Sequence, residues 1–359
     1  MSYSLALPAV TGIFLVAMCA GPSAAQDAGR DPMAGWAIQA VRLDDIPAPS
    51  DNPLTRGKAA LGERLFYEPL LSASNTMRCA TCHVPEYGFS EVERRAAEGA
   101  TMPAPRRAPA LNNLARHPAL MWDGRSPSLE DQALLPLRAH HEMNQPVDEL
   151  LTELDAAGYA PLFREVFGDS VGLSEATLAM ALAAYERTIV SYDAPFDRYM
   201  AGDTGALSPA QRRGKALFET RAGCITCHDG PDFTDYGFHN IGVDTLDAGR
   251  FAQVPLPSMK YAFKTPGLRD AARRSSFFHD GSAATLHDVM AFYNRGGRFD
   301  PLEVPNVAIE PLGLSEAEID DLVAFIEALV GTRVGIPLQQ AESVVIGHSD
   351  AELPGPGGP

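Results

Sequence analysis

The stretch Cys79-Ala-Thr-Cys-His83 occurs a second time in the chain, as Cys224-Ile-Thr-Cys-His228. The sequence has five cysteines, and four of them lie in these two copies. A Cys-x-x-Cys-His motif is typical of a c-type haem site, in which both thiols bind the porphyrin and the histidine reaches the iron. A zinc site is the alternative, but it needs four ligands in one place and gives no role to the histidines. We therefore predict two covalently bound haem c groups, with Cys79, Cys82, Cys224 and Cys227 as attachment points and His83 and His228 as iron ligands.

The residues before each motif also repeat. Arg56–Phe66 is predicted to form a helix from the spacing of its apolar residues, and Arg213-Gly-Lys-Ala-Leu-Phe218 repeats part of it. Ser208, Pro209 and Gln211 form a strong helix start for the second copy. No stretch shows the sustained alternation of a surface strand. The fold class that we predict is all-α with long loops, built from two cytochrome c-like haem domains in tandem.

Three further helices follow from apolar spacing and capping residues. They are expected near Leu173–Val190, with Ser174 at its start, near Ala284–Tyr293, and over Glu316–Val330. The predicted divisions are a signal peptide (1–25), an extended lead (26–53), an N-terminal cytochrome c-like domain (54–200), a C-terminal cytochrome c-like domain (201–334) and a Gly/Pro-rich tail (335–359). The assignment of roles to the two domains depends on the family resemblance described below.

The composition is that of a globular protein with an acidic surface. Hydrophobic residues make up 45% and charged residues 21%, and the formal net charge is −17. This charge argues against nucleic acid as a partner and suits a redox partner with a basic patch. Residues 1–25 contain a short apolar run that ends in Ser23-Ala-Ala25, which predicts export to the periplasm. Cleavage there removes Cys19, whereas a lipoprotein would retain it. No later apolar run reaches the roughly 20 residues of a membrane span.

Several short strings resemble those of the bacterial dihaem cytochrome c peroxidases, a family that includes the MauG group of methylamine utilisation. The resemblance covers about residues 55–330 and rests on both haem motifs together. The other strings are Trp122-Asp-Gly-Arg125, Leu129-Glu-Asp-Gln-Ala133, His141-Glu-Met143, Phe238-His-Asn-Ile-Gly242, Phe263-Lys-Thr-Pro-Gly-Leu-Arg269 and Phe278-His-Asp-Gly281.

The resemblance implies that the N-terminal haem is the peroxide site and that the C-terminal haem transfers electrons. By position, Glu142 would be the distal acid–base residue, with Gln132 and Pro136 lining the same pocket. One carboxylate there can move a proton from the inner to the outer peroxide oxygen. Without the resemblance, Glu142 reads as a solvated charge. Trp122 matches the tryptophan between the two haems, and the alternative for it is an ordinary core residue.

Two departures from the standard peroxidases favour the MauG group. Tyr293 stands where those enzymes have the distal methionine of the C-terminal haem, and a phenolate stabilises higher iron oxidation states than a thioether does. Met290, three residues earlier, is the competing ligand, and core packing is the other role open to Tyr293. Residues 98–102 lack the histidine that blocks the peroxide haem at rest, which predicts an open site, with Met102 as a weaker candidate ligand.

A third departure concerns calcium. The family's inter-haem calcium site is replaced here by Arg107, Arg274 and Ser276. Guanidinium groups cannot bind a cation and their charge opposes it, which argues against calcium at this place.

We therefore expect an exported enzyme that uses H2O2, with a redox protein as its partner. That partner is either a protein substrate oxidised in the manner of MauG, or a small cytochrome c or cupredoxin that donates electrons for detoxification. A dihaem electron carrier without catalysis is the third reading, and it gives no role to Glu142, Gln132 and Trp122.

Overall fold

The computed structural model describes residues 31–92, 106–243, 246–297 and 309–335. The chain divides into a unit that ends at Ala34 and a unit that begins at Gly35, and the elements below lie in the second unit. Its α-helices are α1 Arg56–Phe66, α2 Cys79–Cys82, α3 Leu129–Arg138, α4 Val147–Ala156, α5 Ala160–Phe167, α6 Glu175–Thr188, α7 Pro195–Met200, α8 Pro209–Glu219, α9 Leu286–Asn294 and α10 Glu316–Glu327.

Short 3-10 helices and strands connect these helices. The 3-10 helices cover Leu43–Asp45, Pro69–Leu71, Pro85–Tyr87, Leu114–Arg116, Cys224–Thr226, Arg250–Ala252, Pro257–Met259 and Ala271–Arg273. The strands are β1 Ser191–Tyr192, β2 Phe238–His239, β3 Phe263–Lys264 and β4 Arg333–Val334, and they form two antiparallel pairs, β1 with β4 and β2 with β3. No helix in the described ranges is long and apolar enough to cross a membrane.

In the N-terminal half, α1 crosses α6 at Gly62. A Cβ atom at this glycine would lie 1.9 Å from the Ala181 carbonyl oxygen and 2.9 Å from the Tyr185 Cβ, so no larger residue fits without movement. The close crossing places Leu65 and Phe66, which are both fully buried, in the core beside the first haem motif.

The C-terminal half repeats this crossing with α8 and α10. A Cβ atom at Gly214 would lie 1.9 Å from the Asp321 carbonyl oxygen and 2.8 Å from the Phe325 Cβ. The structural repeat is therefore Gly62-Glu-Arg-Leu-Phe66 with Gly214-Lys-Ala-Leu-Phe218. The match between the Arg-Gly-Lys-Ala strings at 56–59 and 213–216 is out of structural register, because those strings occupy different turns of their helices.

A second repeat follows each haem motif. Asn113 and Asp270 both have left-handed backbone (φ 62° and 55°) and begin the 3-10 helices Leu114–Arg116 and Ala271–Arg273. A tight loop then follows in each half and is closed by one antiparallel bridge, Leu120 with Ser126 and Phe277 with Ala283. The next helices, α3 and α9, are capped by Ser128 and Thr285.

This second repeat keeps a constant sequence offset, so its members can be paired residue by residue. Trp122 and His279 occupy the same position in the two tight loops. Pro136 of α3 and Tyr293 of α9 occupy the same position in the two helices. The two halves therefore share a backbone plan, and the side chains at equivalent positions differ.

The predicted helices are present, most of them shorter than expected. α1 has the predicted bounds, and α6 begins after Ser174 but ends at Thr188. Ser208 and Gln211 close a capping box on α8, and Ser315 does the same with Glu318 on α10. α6 is not amphipathic over its whole length, because its second half is buried on every face. Sequence patterns did not predict α3, α4, α5 and α7.

Buried polar contacts join the two halves. The Arg269 guanidinium donates to the Asp197 carboxylate at 2.9 and 3.0 Å, and both side chains are almost completely buried. The Asn112 amide donates to the Asp270 carboxylate at 2.9 Å. The pairing of β1 with β4 adds a backbone connection near the end of the described chain.

Candidate active site

Both motif histidines are held in the same way. The ring Nδ1 of His83 donates to the carbonyl oxygen of Phe89 at 3.1 Å, and Nδ1 of His228 donates to that of Phe233 at 2.9 Å. Each phenylalanine has left-handed backbone, with φ of 52° and 54°. These bonds leave the Nε2 lone pair of each imidazole for a metal. The sequence did not mark the two phenylalanines, because the acceptors are backbone atoms.

Burial keeps both imidazoles neutral, as an iron ligand requires. It lowers the pKa of His83 to about 4 and that of His228 in the same direction. None of the four motif cysteines is joined in a disulfide among the described residues, and burial raises the pKa of Cys224 to about 12. Two neutral imidazoles and two pairs of cysteines are the groups that covalent haem attachment needs.

One continuous cavity of about 610 Å³ is lined by both haem motifs. Within the described residues, the only cluster of three or more metal-ligating side chains is Cys227, Asp235 and His239, and it contains neither motif histidine. A four-ligand zinc site at either motif is therefore not formed. The cavity, the thiols and the oriented imidazoles fit c-type haem.

Helix α3 and the turn after it supply the wall opposite His83. Gln132 is buried, and its Oε1 atom has no hydrogen-bond partner among the described residues. Pro136 lies one turn further along the helix, and Glu142 lies on the following turn; all three line the cavity. Burial raises the pKa of the half-buried Glu142 carboxyl, with the nearby His141 and Arg125 opposing the rise. The structure thus brings Gln132, Pro136 and Glu142 to one cavity wall.

Helix α9 forms the equivalent wall in the C-terminal half. Tyr293 and Met290 both line the cavity. Burial, and next the proximity of the Cys224 and Cys227 thiols, raises the pKa of the Tyr293 phenol. The position of Tyr293 corresponds to that of Pro136 in α3, so the same place in the two halves holds a possible oxygen ligand in one and no donor atom in the other. Both Tyr293 and Met290 remain candidates for the iron.

Trp122 lines the same cavity, and its ring packs against that of its structural equivalent. Its indole is 6.4 Å from the His279 ring, centre to centre, at an angle of 67°. The Trp122 Nε1 donates to the Arg107 carbonyl oxygen at 2.9 Å. His279 in turn stacks on Phe263 with a centroid distance of 3.5 Å. Sequence analysis identified Trp122 but missed His279, since only the internal repeat pairs them.

Two arginines occupy the place where the resemblance would put calcium. The Arg274 side chain donates to the Gly267 carbonyl oxygen at 2.8 Å, while its Nε atom has no partner among the described residues. Burial and the charge of Arg107 lower the pKa of Arg274 to about 10. Both arginines and Ser276 line the cavity.

The comparisons with known proteins agree with this arrangement. A family model described as "Di-haem cytochrome c peroxidase" matches residues 56–205, and one described as "Cytochrome c" matches residues 211–329. The methylamine utilization protein MauG of Methylorubrum extorquens is 42% identical over 336 residues, which are 92% of this chain and 94% of that protein. This chain belongs to the dihaem cytochrome c peroxidase family.

Other relatives of this dihaem peroxidase include a cytochrome-c peroxidase and a MauG-like protein. Cytochrome-c peroxidase IdrP1 of Denitromonas iodatirespirans is 34% identical and covers 95% of each chain. The crystal structure of a MauG-like protein associated with microbial copper homeostasis has a TM-score of 0.72 at 29% identity, covering 80% of this chain and 93% of that one. The predicted tandem cytochrome c fold, the two haems and the peroxide-using oxidoreductase class are thereby confirmed.

Some predictions fall outside the described residues. These are the signal peptide (1–25), the histidine-free stretch 98–102 and nearly all of the tail (336–359). The predicted domain boundary near residue 200 stays a prediction.

Proposed function

We propose that this dihaem peroxidase reacts with H2O2 at the N-terminal site and shares the oxidising equivalents with the C-terminal site. The observation that supports this assignment is the contrast between Pro136 and Tyr293 at equivalent positions of α3 and α9. The proline side chain has no donor atom for iron, whereas a phenol can bind iron. When bound, the two haems supply the redox-active iron.

Glu142 is the proton carrier in this proposal. Its carboxylate accepts a proton from the inner oxygen of the peroxide and returns it to the outer oxygen, so that water leaves. The raised pKa of Glu142 suits a group that must both accept and donate a proton. The Oε1 atom of Gln132 is placed to accept a hydrogen bond from the peroxide. In sum, one H2O2 takes up two electrons and two protons and gives two molecules of water.

Trp122 provides the connection between the two sites. Its indole is readily oxidised, and its contact with His279 extends toward the C-terminal half. His228 and Tyr293 would hold the iron of the second haem, and an anionic oxygen ligand there would favour the more oxidised iron. The N-terminal half would thus hold its haem with His83 and leave Glu142 and Gln132 for peroxide, whereas the C-terminal half would hold its haem with both His228 and Tyr293.

The electron source that we propose is a side chain of a partner protein, as in the MauG group. Tyr293 and the 42% identity to a MauG protein support this choice. The second candidate is H2O2 detoxification with electrons from a small cytochrome c or cupredoxin, and the 34% identity to a cytochrome-c peroxidase supports it. We also infer export to the periplasm from residues 1–25.

We further propose that calcium has no site between the haems. Arg107 and Arg274 bring two positive charges to that place. Two guanidiniums repel a divalent cation, and the haem propionates are the anions that two bound haems would bring.

A peroxide titration tests the proposed reaction. Stoichiometric H2O2 added to the oxidised, haem-loaded protein should bleach its ferric absorption and remove its ferric EPR signals. Glu142→Gln should slow this reaction by about 100- to 10,000-fold, because the proton carrier is lost. Glu149→Gln, an exposed glutamate of α4, is the matched control and should react like the parent. An unreactive parent protein, or a Glu142→Gln variant as fast as the parent, would refute the assignment.

A further inference from the structure

We propose that Tyr185 and Tyr67 form an oxidation path from the N-terminal site to the protein surface, where small neutral phenols are oxidised. This inference rests on the proposed reaction of H2O2 at that site. The proposed path leads from the first haem motif to the protein surface, and it does not pass through Trp122 or the C-terminal site.

The path begins in the aromatic cluster behind His83. The Phe66 ring lies 6.5 Å from the His83 ring and 5.1 Å from the Tyr185 ring, measured between centroids. Cys79 packs against the same buried cluster. Tyr185 is only 6% exposed, so its phenol lies within the protein beside the first haem motif.

The path continues through a pair of phenols. The Tyr185 and Tyr67 hydroxyls share a hydrogen bond in which either can be the donor. Tyr67 follows directly after α1, its ring is 5.3 Å from that of Phe66, and it is 36% exposed. A buried phenol is thus linked by one hydrogen bond to a phenol that meets solvent. Hydrogen-bonded phenols can pass an electron and a proton together, which avoids a charged intermediate in the interior.

The C-terminal half shows that the fold does not require these tyrosines. The equivalents of Phe66 and Tyr185 are Phe218 and Phe325, whose centroids lie 5.2 Å apart. The residue after Phe218 is Glu219, which takes the place of Tyr67. The same packing is therefore built without a phenol in one half and with two hydrogen-bonded phenols in the other. At these equivalent positions, phenols thus occur only in the half to which we assign the reaction with peroxide.

The charges near Tyr67 select the donor. Burial is the largest cause that raises the pKa of the Tyr67 phenol; the charges of Glu63 and Glu86 raise it further, and that of Arg78 opposes them. A surface of mainly negative charge disfavours an anionic donor, so we assign this path to neutral phenols.

The reaction balances as two one-electron oxidations. Tyr185 gives an electron to the N-terminal site and passes its proton along the hydrogen bond toward water. Tyr67 then restores Tyr185 and becomes a neutral phenoxyl, which takes a hydrogen atom from an external phenol. After two such turns, one H2O2 and two phenols have become two molecules of water and two phenoxyl radicals.

The test compares single variants of the haem-loaded protein in two assays. The first follows bleaching by stoichiometric H2O2, and the second follows steady-state oxidation of 2-methoxyphenol. Tyr67→Phe and Tyr185→Phe should keep the first reaction and lose at least about tenfold in the second. Tyr87→Phe is the matched control, because Tyr87 is 38% exposed in the same half. It should retain the parental rate in both assays.

The outcomes separate this inference from the proposed function. Parental oxidation of 2-methoxyphenol by Tyr67→Phe would overturn the path while leaving the peroxide reaction standing. Absence of bleaching in the parent would overturn both. With the parent, 4-hydroxybenzoate should be a slower donor than 2-methoxyphenol, and an equal rate would contradict the assignment to neutral phenols. Tyr185→Phe should fold, since Phe325 already occupies the equivalent place.

Discussion

Replacing Gly62 by alanine should destabilise the protein, because it forces α1 and α6 apart. The new Cβ would stand 1.9 Å from the Ala181 carbonyl oxygen and 2.7 Å from its carbonyl carbon, and neither backbone atom can rotate away. Overpacking of this kind costs about 1–3 kcal/mol, and contact with backbone puts Gly62→Ala at the upper end. The higher helix propensity of alanine relative to glycine offsets up to about 1 kcal/mol of this cost. The net loss is then about 2 kcal/mol, which lowers Tm by about 4–8 °C.

Thermal unfolding of the haem-loaded protein, followed by circular dichroism, measures this loss. Gly57→Ala is the matched control in the same helix, because its Cβ would meet only the Val166 side chain at 3.7 Å. That variant should be as stable as the parent or more stable by up to about 1 kcal/mol. Gly214→Ala should behave like Gly62→Ala if the two crossings are equivalent. A Gly62→Ala variant with a Tm equal to that of Gly57→Ala would refute the reasoning.

Three further predictions follow from the site. Tyr293→Met should raise the reduction potential of the C-terminal haem in a spectroelectrochemical titration, since a thioether favours reduced iron. An unchanged potential would leave Met290 as the ligand. Burial raises the pKa of the Glu186 carboxyl from 4.5 to about 8. Between these two pH values the folded state binds more protons than the unfolded state, so the free energy of unfolding falls as the pH rises from 4.5 to about 8. Glu186→Gln should remove this fall, and by the size of the pKa shift it should stabilise the protein at pH 8 by about a few kcal/mol. Below pH 4.5 the substitution should have little effect. Urea unfolding at both pH values measures the difference. A calcium chelator should leave Tm and peroxide bleaching unchanged, and a loss restored by calcium would contradict the role given to Arg107 and Arg274.

The parts of the fold that the sequence predicted are those with a local cause. The haem motifs are short strings whose chemistry is fixed by residue type, and their meaning does not depend on distant contacts. Helices α8 and α10 were predicted because each begins with a capping box, whose two residues are only three positions apart: Ser208 with Gln211, and Ser315 with Glu318. Helix α3 has a similar signal, since Ser128 accepts from the Asp131 amide, but its proline concealed the helix.

The parts that the sequence did not predict depend on long-range contacts. The register of the internal repeat is set by the approach of Gly62 to Ala181 and of Gly214 to Asp321, which no local pattern reveals. The contact of Trp122 with His279 joins residues far apart in the sequence. For the distal wall, only the family resemblance pointed to Glu142, and the equivalence of Pro136 with Tyr293 required the structure.

Backbone hydrogen bonds join the loop that carries Trp122 to the C-terminal half, and the loop that carries His279 to the N-terminal half. The Lys264 amide donates to the Trp122 carbonyl oxygen at 2.8 Å, and the Arg107 amide donates to that of His279 at 2.9 Å. Such ties fix the gap between the two sites without any closing motion. Electron exchange across that gap should therefore be insensitive to solvent viscosity, and added sucrose should slow the encounter with a donor while leaving exchange within the molecule unaffected. Electron transfer between the two sites would then keep a constant rate, while the rate of electron donation from outside varies with the conditions.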